Sequence, residues 1–225
     1  MDLDAGTDAP PGWVDAPWWL DAVAESDVVE CPELLAAVND LGPMTVAETL
    51  LAASVAGAGP EAIRLLTTLR GQSLTDEQRL TVIELWQPQV GWLTGAEQTA
   101  IVDLVGPEPD PTDKRAVLAD EFAPHELAAA LHATPGHAAA RIAAARLLHS
   151  ALKATGDRLR AGTLDPYRVW LITDTLTGLG SHPTGVAAAR QVEAEILGRA
   201  ASMTGGQLRK ALRKGCRAVD PDWGT

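Results

Sequence analysis

The chain has 225 residues, a length that suits one sizeable domain or two small ones and that can bury a core without disulfides or metals. Alanine and leucine are abundant, β-branched runs are few, and Cys31 and Cys216 stand alone, which predicts an all-α fold in a reducing cytoplasm and excludes a CxxC zinc site. The net charge of −12 argues against a uniformly basic protein, and the acidic first residues and the lack of a long uncharged apolar run argue against a secretory signal and a membrane span.

The first segment, residues 1–12, is acidic and contains two prolines, and it cannot bury enough apolar surface to become ordered. We therefore expect a disordered acidic N-terminal arm. Trp13, Trp18 and Trp19 follow, and large aromatic side chains of this kind anchor a helix on a core or, alternatively, form an exposed site for a partner. Ordered structure is expected from residue 13.

Three helices are expected next, because glycine and proline pairs divide this part of the chain. They cover residues near 32–40, 45–56 and 60–70. A fourth helix begins at Thr75, which forms a capping box with Gln78. It carries an apolar stripe at helical spacing, made of Leu80, Ile83, Leu85 and Trp86. Pro88 lacks an amide hydrogen and is expected to kink or end this helix, after which a helix from about 94 to 105 turns back along it.

A domain boundary is predicted at residues 106–113, where the sequence GPEPDPTD contains three prolines and three acids. Such a composition suits a linker. The boundary separates an N-terminal helical region, 13–106, from a C-terminal helical domain, 114–220, which a short tail, 221–225, follows.

The stretch ELAAALHATPGHAAARIAAARLL has the outline of a helix-turn-helix hairpin. Short helices are expected at 114–122 and 124–131, and a longer one at 136–152. In a DNA-reading hairpin, side chains near the start of the second helix reach base edges, but these positions are nearly all alanine here and only Thr134 can hydrogen-bond. Strong sequence reading is therefore disfavoured. His132 lies where the tight turn commonly has glycine, and histidine tolerates a positive φ.

Three further helices complete the prediction. Asp165 caps the first and Pro166 fits its opening turn, the second runs from about 184 to 202, and the third begins at a capping box of Thr204 and Gln207. Their inward residues are predicted to be Val169, Leu171, Ile172 and Leu176, then Val192, Ile196 and Leu197, and then Leu208, Leu212, Cys216 and Val219. The remainder of the last helix is largely basic, so we expect a basic amphipathic helix.

Charge is distributed unevenly along the chain. Residues 1–63 hold twelve acids and no lysine or arginine, whereas residues 141–225 hold thirteen bases against seven acids. This asymmetry is typical of an acidic arm beside a basic binding surface, and simple solubility is the alternative interpretation.

Two segments resemble, in this order, the actinobacterial domain of unknown function 222, also called the 13E12 repeat family: ELAAALHATPGHAAARIAAARLLHSALKATGDRLRAGTLDPYRVWLITDTL and EAEILGRAASMTGGQLRKALRKGCRAVDPDW. The resemblance covers about residues 74–223 and rests on the ELAAAL run, the helix with Arg141 and Arg146, the LRAGTLDPYRV turn and the closing QLRKALRK helix. It implies an association with an HNH endonuclease domain, which usually follows this family's domain in the chain. The activity of the family itself is undefined.

The sequence does not predict an enzyme. An HNH site needs a compact set of histidines, an asparagine and metal ligands, because one histidine activates water while others hold the metal. Asn39 is the only asparagine, neither G-x-S-x-G nor GxxxxGK occurs, and the histidines are scattered at His125, His132, His137, His149 and His182. We expect no catalytic residue, metal or cofactor in this chain.

Two hypotheses of function remain. The first is a DNA-binding module that positions a nuclease, in which basic side chains contact phosphates and confer little sequence specificity. Its candidate residues are Arg141, Arg146, Arg158, Arg160, Arg168, Arg209, Lys210, Arg213, Lys214 and Arg217. The second is a protein-interaction or regulatory domain, in which the acidic N-terminal part shields a basic C-terminal surface. The expected partners are accordingly DNA, an HNH nuclease domain or another protein, and the oligomeric state stays open.

Overall fold

A computed structural model of the protein describes residues 44–110, 112–179 and 183–223. These residues form nine α-helices and no strand, so the predicted all-α, multi-helix fold is confirmed. The helices are α1 Val46–Ala56, α2 Pro60–Thr68, α3 Asp76–Val105, α4 Lys114–Ala130, α5 Pro135–His149, α6 Lys153–Arg160, α7 Pro166–Thr177, α8 Pro183–Ala200 and α9 Gly205–Val219. The expected arm, the three N-terminal tryptophans and the helix expected near 32–40 lie outside the described residues.

The three helix starts that were predicted from capping residues are confirmed. Thr75 and Thr204 accept hydrogen bonds from the backbone N–H groups of Gln78 and Gln207, and each glutamine side chain accepts in return from the threonine N–H. Asp165 caps α7 by accepting from the backbone N–H of the residue three positions later. Capping depends on side chains within one turn, which is why the sequence predicts it well.

Pro88 does not end its helix, and the prediction that a second helix, from about 94 to 105, turns back along the first is wrong, because α3 is a single helix of 30 residues. The proline deprives the carbonyl of Glu84 of its helical donor, but Glu84 is exposed and water can replace that donor. The prediction of two short helices, at 114–122 and 124–131, is also wrong. A single helix, α4, continues unbroken through Pro124 and packs along α5.

Two further sequence predictions need correction. The helix predicted at 136–152 ends at His149, and the separate short helix α6 follows it. In the apolar stripe of α3, Leu85 and Trp86 pack against a hydrophobic cluster, whereas Leu80 and Ile83 are exposed. The stripe therefore buries only its second half.

Three hydrophobic clusters form the core of the described residues. The first joins α1, α2 and the start of α3 through Leu50, Ala53, Leu65, Leu66 and Leu69. The second joins the end of α3 to α4 and α5 through Ile101, Ala123, Leu127, Ala128, Ala138, Ile142 and Ala145. The third and largest lies among α5 to α9, and all the inward residues predicted for the last three helices are buried in it or packed against it.

Helix α3 connects the parts of the core, because it packs against α1, α2, α5, α6 and α7. It thus contacts helices on both sides of the predicted boundary at 106–113, and the division into separate regions stays a prediction. Two glycines allow a close approach to the end of α6: a Cβ on Gly95 would lie 2.9 Å from Cα of Arg160, and one on Gly91 would lie 3.2 Å from the carbonyl oxygen of Leu164. Gly162 adopts a φ of 66° where the chain crosses α3.

Two side chains of α8 form hydrogen bonds with the residues where α5 ends and α6 begins. Glu193, which is buried, accepts hydrogen bonds from the backbone N–H and the hydroxyl of Thr155, each at 2.7 Å. One turn earlier, Arg190 donates to the carbonyl oxygens of Ala151 and Ser150 at 3.3 and 3.4 Å. An acid thus meets the start of α6 and a base meets the carbonyls that follow α5, which is the favourable arrangement at helix ends.

Candidate functional site

The turn of the α4–α5 hairpin has the conformation that the sequence predicted. His132 adopts a φ of 51°, in the left-handed region, and the backbone N–H of Ala133 donates to the carbonyl of Ala128 at 2.9 Å. Thr134 is the N-cap of α5 and accepts from the backbone N–H of His137. The single predicted reading position with a polar side chain therefore serves to start the helix.

The two hairpin arginines are engaged within the protein. Arg141 forms an ion pair with Glu97 of α3, and its side chain is only 13% exposed. The side chain of Arg146 is 16% exposed and pairs with Asp120 of α4. It also donates to the carbonyl oxygens of Val105 and Gly106, at 3.3 and 3.0 Å. Their contact with phosphates stays a prediction, and the structure gives both guanidinium groups partners that join α3, α4 and α5.

The basic residues of α6 and α7 are also mostly paired. Arg160 donates to Asp157 at 2.6 Å, and this bond, followed by that from Lys153, holds the pKa of the Asp157 carboxyl below its usual range. Arg168 pairs with Asp165. Arg158 is half-buried on α6, a helix that packs against α3, α5, α7 and α8.

The five predicted residues on α9 stand in a different environment. Lys210, Arg213, Lys214 and Arg217 are exposed, Arg209 is half-exposed, and none of the five forms an ion pair or a side-chain hydrogen bond with another described residue. Together with Gly206 they line a shallow open groove along the helix. On the opposite face of α9, Leu208, Leu212 and Cys216 are buried, so the side of this helix that faces solvent carries mainly cations.

A sixth cation, which was not predicted from the sequence, belongs to this surface. Arg199 lies exposed in the last turn of α8 and lines a second groove, between α8 and α9, together with Lys210 and Lys214. Glu195 is the acidic residue in the lining of that groove. No pattern in the sequence marks Arg199, because it joins this surface only through the packing of α8 on α9. We call Arg199, Arg209, Lys210, Arg213, Lys214 and Arg217 the α8–α9 basic surface.

The structure thus separates the ten predicted residues into two groups. The five on α9 share one groove, and none of the other five lines either groove of the α8–α9 basic surface. The buried thiol of Cys216 lies beneath this surface, and desolvation raises its pKa to about 11, so it is uncharged at neutral pH.

Neither a metal site nor a membrane-spanning helix is present in the described part of the chain. Within those residues, no three histidine, cysteine or acidic side chains converge as metal ligands would. The described helices also include none with the length and apolar character that crossing a bilayer requires.

The described residues form an all-α domain with a buried core and a cationic helix face. A family model described as a domain of unknown function (DUF222) matches residues 94–224, which is more than half of the chain. The protein belongs to this family, and the resemblance drawn from the sequence is confirmed, although over a shorter range than the expected 74–223. No curated protein and no solved structure matches the chain. The family description assigns no activity, and the association with an HNH nuclease stays a prediction.

Proposed function

We propose that this protein is a non-catalytic helical module that binds double-stranded DNA through phosphate contacts, with little sequence specificity. The observation that carries the proposal is the α8–α9 basic surface, whose cations have no partner among the described residues although the chain as a whole is acidic. Unpaired cations gathered on one face of such a chain favour a polyanion as the ligand.

The spacing of the cations suits a nucleic-acid backbone. Residues 209, 210, 213, 214 and 217 follow one another at one- and three-residue steps, so they share one side of α9 over about 12 Å of helix. Several phosphates of one DNA strand lie within such a length. Each neutralised phosphate releases counterions, which would make the affinity strongly dependent on salt.

The burial of the opposite face argues against two other ligands. A basic amphipathic helix can enter a membrane surface or a partner's groove when its apolar face is free. In α9 that face is occupied, because Leu208, Leu212 and Cys216 are fully buried in the largest cluster. Only the charged side is available, which favours an anionic surface over an apolar one.

Low sequence specificity follows from the residues that the surface and the hairpin offer. Base discrimination rests on bidentate contacts from arginine, asparagine or glutamine in the major groove. The exposed positions at the start of α5 are alanines, glycine, proline and His137, none of which makes such a bidentate contact, and Thr134 is engaged as a cap. Arginines of α9 would contact phosphates first and bases only where the groove geometry allowed it.

The test is duplex binding measured by fluorescence anisotropy at several salt concentrations. The double variant Arg213→Gln/Lys214→Gln removes two cations from the groove. The matched control, Lys114→Gln/Arg115→Gln, removes two exposed cations from the start of α4, so that the net charge of the two variants is identical. Only the first is expected to weaken binding.

The alternative function, a regulatory domain shielded by its acidic part, is favoured by one sequence feature. Residues 1–63 contain twelve acids and no lysine or arginine. The full-length variant Asp2→Asn/Asp4→Asn/Asp8→Asn tests it, because neutralising three acids would raise DNA affinity sharply if they compete for the basic surface. An increase no larger than that caused by three neutralised acids elsewhere would count against shielding.

A further inference from the structure

The outward side of α4 carries an apolar pair that stands largely in solvent. Leu118 and Phe122, one turn apart, are 55% and 58% exposed. On the opposite side of the helix, Ala123, Leu127 and Ala128 are buried in the second cluster, which joins α4 to α3 and α5. The helix is therefore fixed to the core while its outward side faces solvent.

A cation and an acid flank this apolar pair along the helix. Arg115 lies three residues before Leu118. Glu126 lies four residues after Phe122, and helical residues three or four apart are neighbours on one side. Both charged side chains are exposed, and neither forms an ion pair or a side-chain hydrogen bond with another described residue. We call these four residues the α4 outer face.

The order of the four residues makes this face complementary to itself. Leu118 and Phe122 have their midpoint at residue 120, and the midpoint of Arg115 and Glu126 lies within one residue of it. Arg115 and Glu126 are 11 residues apart, about three turns, so they lie on the same flank of the apolar pair. A twofold axis at this midpoint brings that flank against the same flank of a second, antiparallel copy.

We propose that the α4 outer face is a self-association surface, on which a second copy of this chain docks antiparallel to form a symmetric dimer. Leu118 of each copy packs on Phe122 of the other. Two ion pairs, each between Arg115 of one copy and Glu126 of the other, set the register and the antiparallel direction. None of these residues lines either groove of the α8–α9 basic surface, so the two surfaces are separate.

Two other exposed apolar pairs of the described residues lack this complementarity. Leu51 and Val55 lie on α1, which contains no lysine or arginine, so a second copy would bring only acids against it. Leu80 and Ile83 lie on α3, where the neighbouring cation, Arg79, is already paired with an acid of its own helix. The charge pattern therefore favours α4 as the face that a second copy covers.

The size of the face sets the strength of the dimer. Helix α4 has 17 residues and is about 25 Å long, and a single pair of such helices buries less than the roughly 1,200 Å² of a standard interface. We therefore expect a dissociation constant of about 100 µM. At lower protein concentrations the chain is monomeric, so duplex affinity can be measured without a contribution from this face.

The experiment is sedimentation equilibrium of the full chain without nucleic acid, from about 5 to about 500 µM protein at about 0.15 M salt. Arg115→Glu places acids at both ends of the face, and Glu126→Arg places bases at both ends. Each variant alone is expected to associate at least about tenfold more weakly than the wild type, because like charges meet. An equimolar mixture of the two restores opposite charges at each end and should associate as the wild type does.

The apolar centre is tested in the same way. Phe122→Asp should abolish the association, because it places a charge where two apolar side chains meet. The matched control, Val55→Asp, puts the same acid on the exposed side of α1 and should leave the association unchanged.

Three results would overturn the proposal. They are a wild-type chain that stays monomeric throughout the concentration range, an association that Phe122→Asp does not weaken, and a mixture of the two charge variants that associates no better than either alone. A face that a different protein covers would give the first of these results. Because no DNA is present, each outcome is independent of the DNA-binding function proposed above.

Discussion

Arg168 donates two hydrogen bonds to the carbonyl oxygen of Met203, from Nε at 3.0 Å and from Nη2 at 2.6 Å. These bonds join α7 to the segment that leads into α9, and the third guanidinium nitrogen pairs with Asp165. A residue proposed from the sequence as a phosphate ligand therefore holds the basic helix in place. Its effect on DNA binding is expected to be indirect.

Replacing Arg168 by lysine tests this role, because lysine keeps the charge and loses the planar fork that reaches both Met203 and Asp165. The free energy of unfolding, measured by urea denaturation, is expected to fall by about 2 kcal/mol. The control Lys210→Ala removes an exposed cation and should change the free energy of unfolding by less than about 0.5 kcal/mol. Equal stabilities of Arg168→Lys and the wild type would contradict the tethering role.

Glu193 is expected to be one of the most sensitive acids in the protein. Its replacement by alanine leaves the backbone N–H and the hydroxyl of buried Thr155 without an acceptor, which costs about 2 to 4 kcal/mol in the free energy of unfolding. Glu195→Ala, two residues away and exposed on the same helix, provides the matched control and should be nearly neutral. Similar urea midpoints for the two variants would show that the hydrogen bonds from Thr155 to Glu193 contribute little to stability.

The close approach of α3 and α6 predicts opposite effects for two glycine-to-alanine changes. At Gly95 the new methyl group would lie 2.9 Å from Cα and 3.0 Å from the backbone nitrogen of Arg160, so the backbone must shift, and we expect a loss of about 1 to 3 kcal/mol. At Gly198, inside α8, nothing lies within 4 Å, and alanine should stabilise the helix by up to about 1 kcal/mol. Thermal unfolding of the two variants should therefore shift in opposite directions.

The thiol of Cys216 is expected to resist modification in the folded protein. Burial raises its pKa to about 11, so at pH 8 only about 0.1% of it is thiolate, the reactive form. In a Cys31→Ser background, a thiol reagent at pH 8 should react slowly with native protein and rapidly in urea. The raised pKa means that the folded protein favours the neutral thiol. The contribution of this thiol to the free energy of unfolding is therefore fully present below pH 9 and is lost as the pH rises from 9 towards 11. Rapid reaction of the native thiol would contradict the burial of the α9 apolar face.

Features that depend on neighbouring residues in the sequence could be predicted. The capping boxes at Thr75 and Thr204, the positive φ of His132 and the buried face of α9 all follow from patterns within one or two turns. Packing overrode local signals at Pro88, where contacts along a 30-residue helix outweigh one lost hydrogen bond.

The division of the basic residues into paired and unpaired groups could not be predicted, because the partners are far apart in sequence. Arg141 pairs with Glu97, and Arg146 with Asp120, only when α3, α4 and α5 have packed together. For the same reason Arg199 was missed, since it joins the basic surface through the packing of α8 on α9.

The central claim is that the α9 cations bind DNA phosphates, and the salt dependence of duplex affinity tests it most directly. For Arg213→Gln/Lys214→Gln, the slope of log affinity against log salt should be shallower than that of the wild type by about 2, because two phosphate contacts are lost. The control Lys114→Gln/Arg115→Gln, with the same net charge, should keep the wild-type slope. Identical slopes for the two variants, or no salt-dependent binding by the wild type, would contradict the claim.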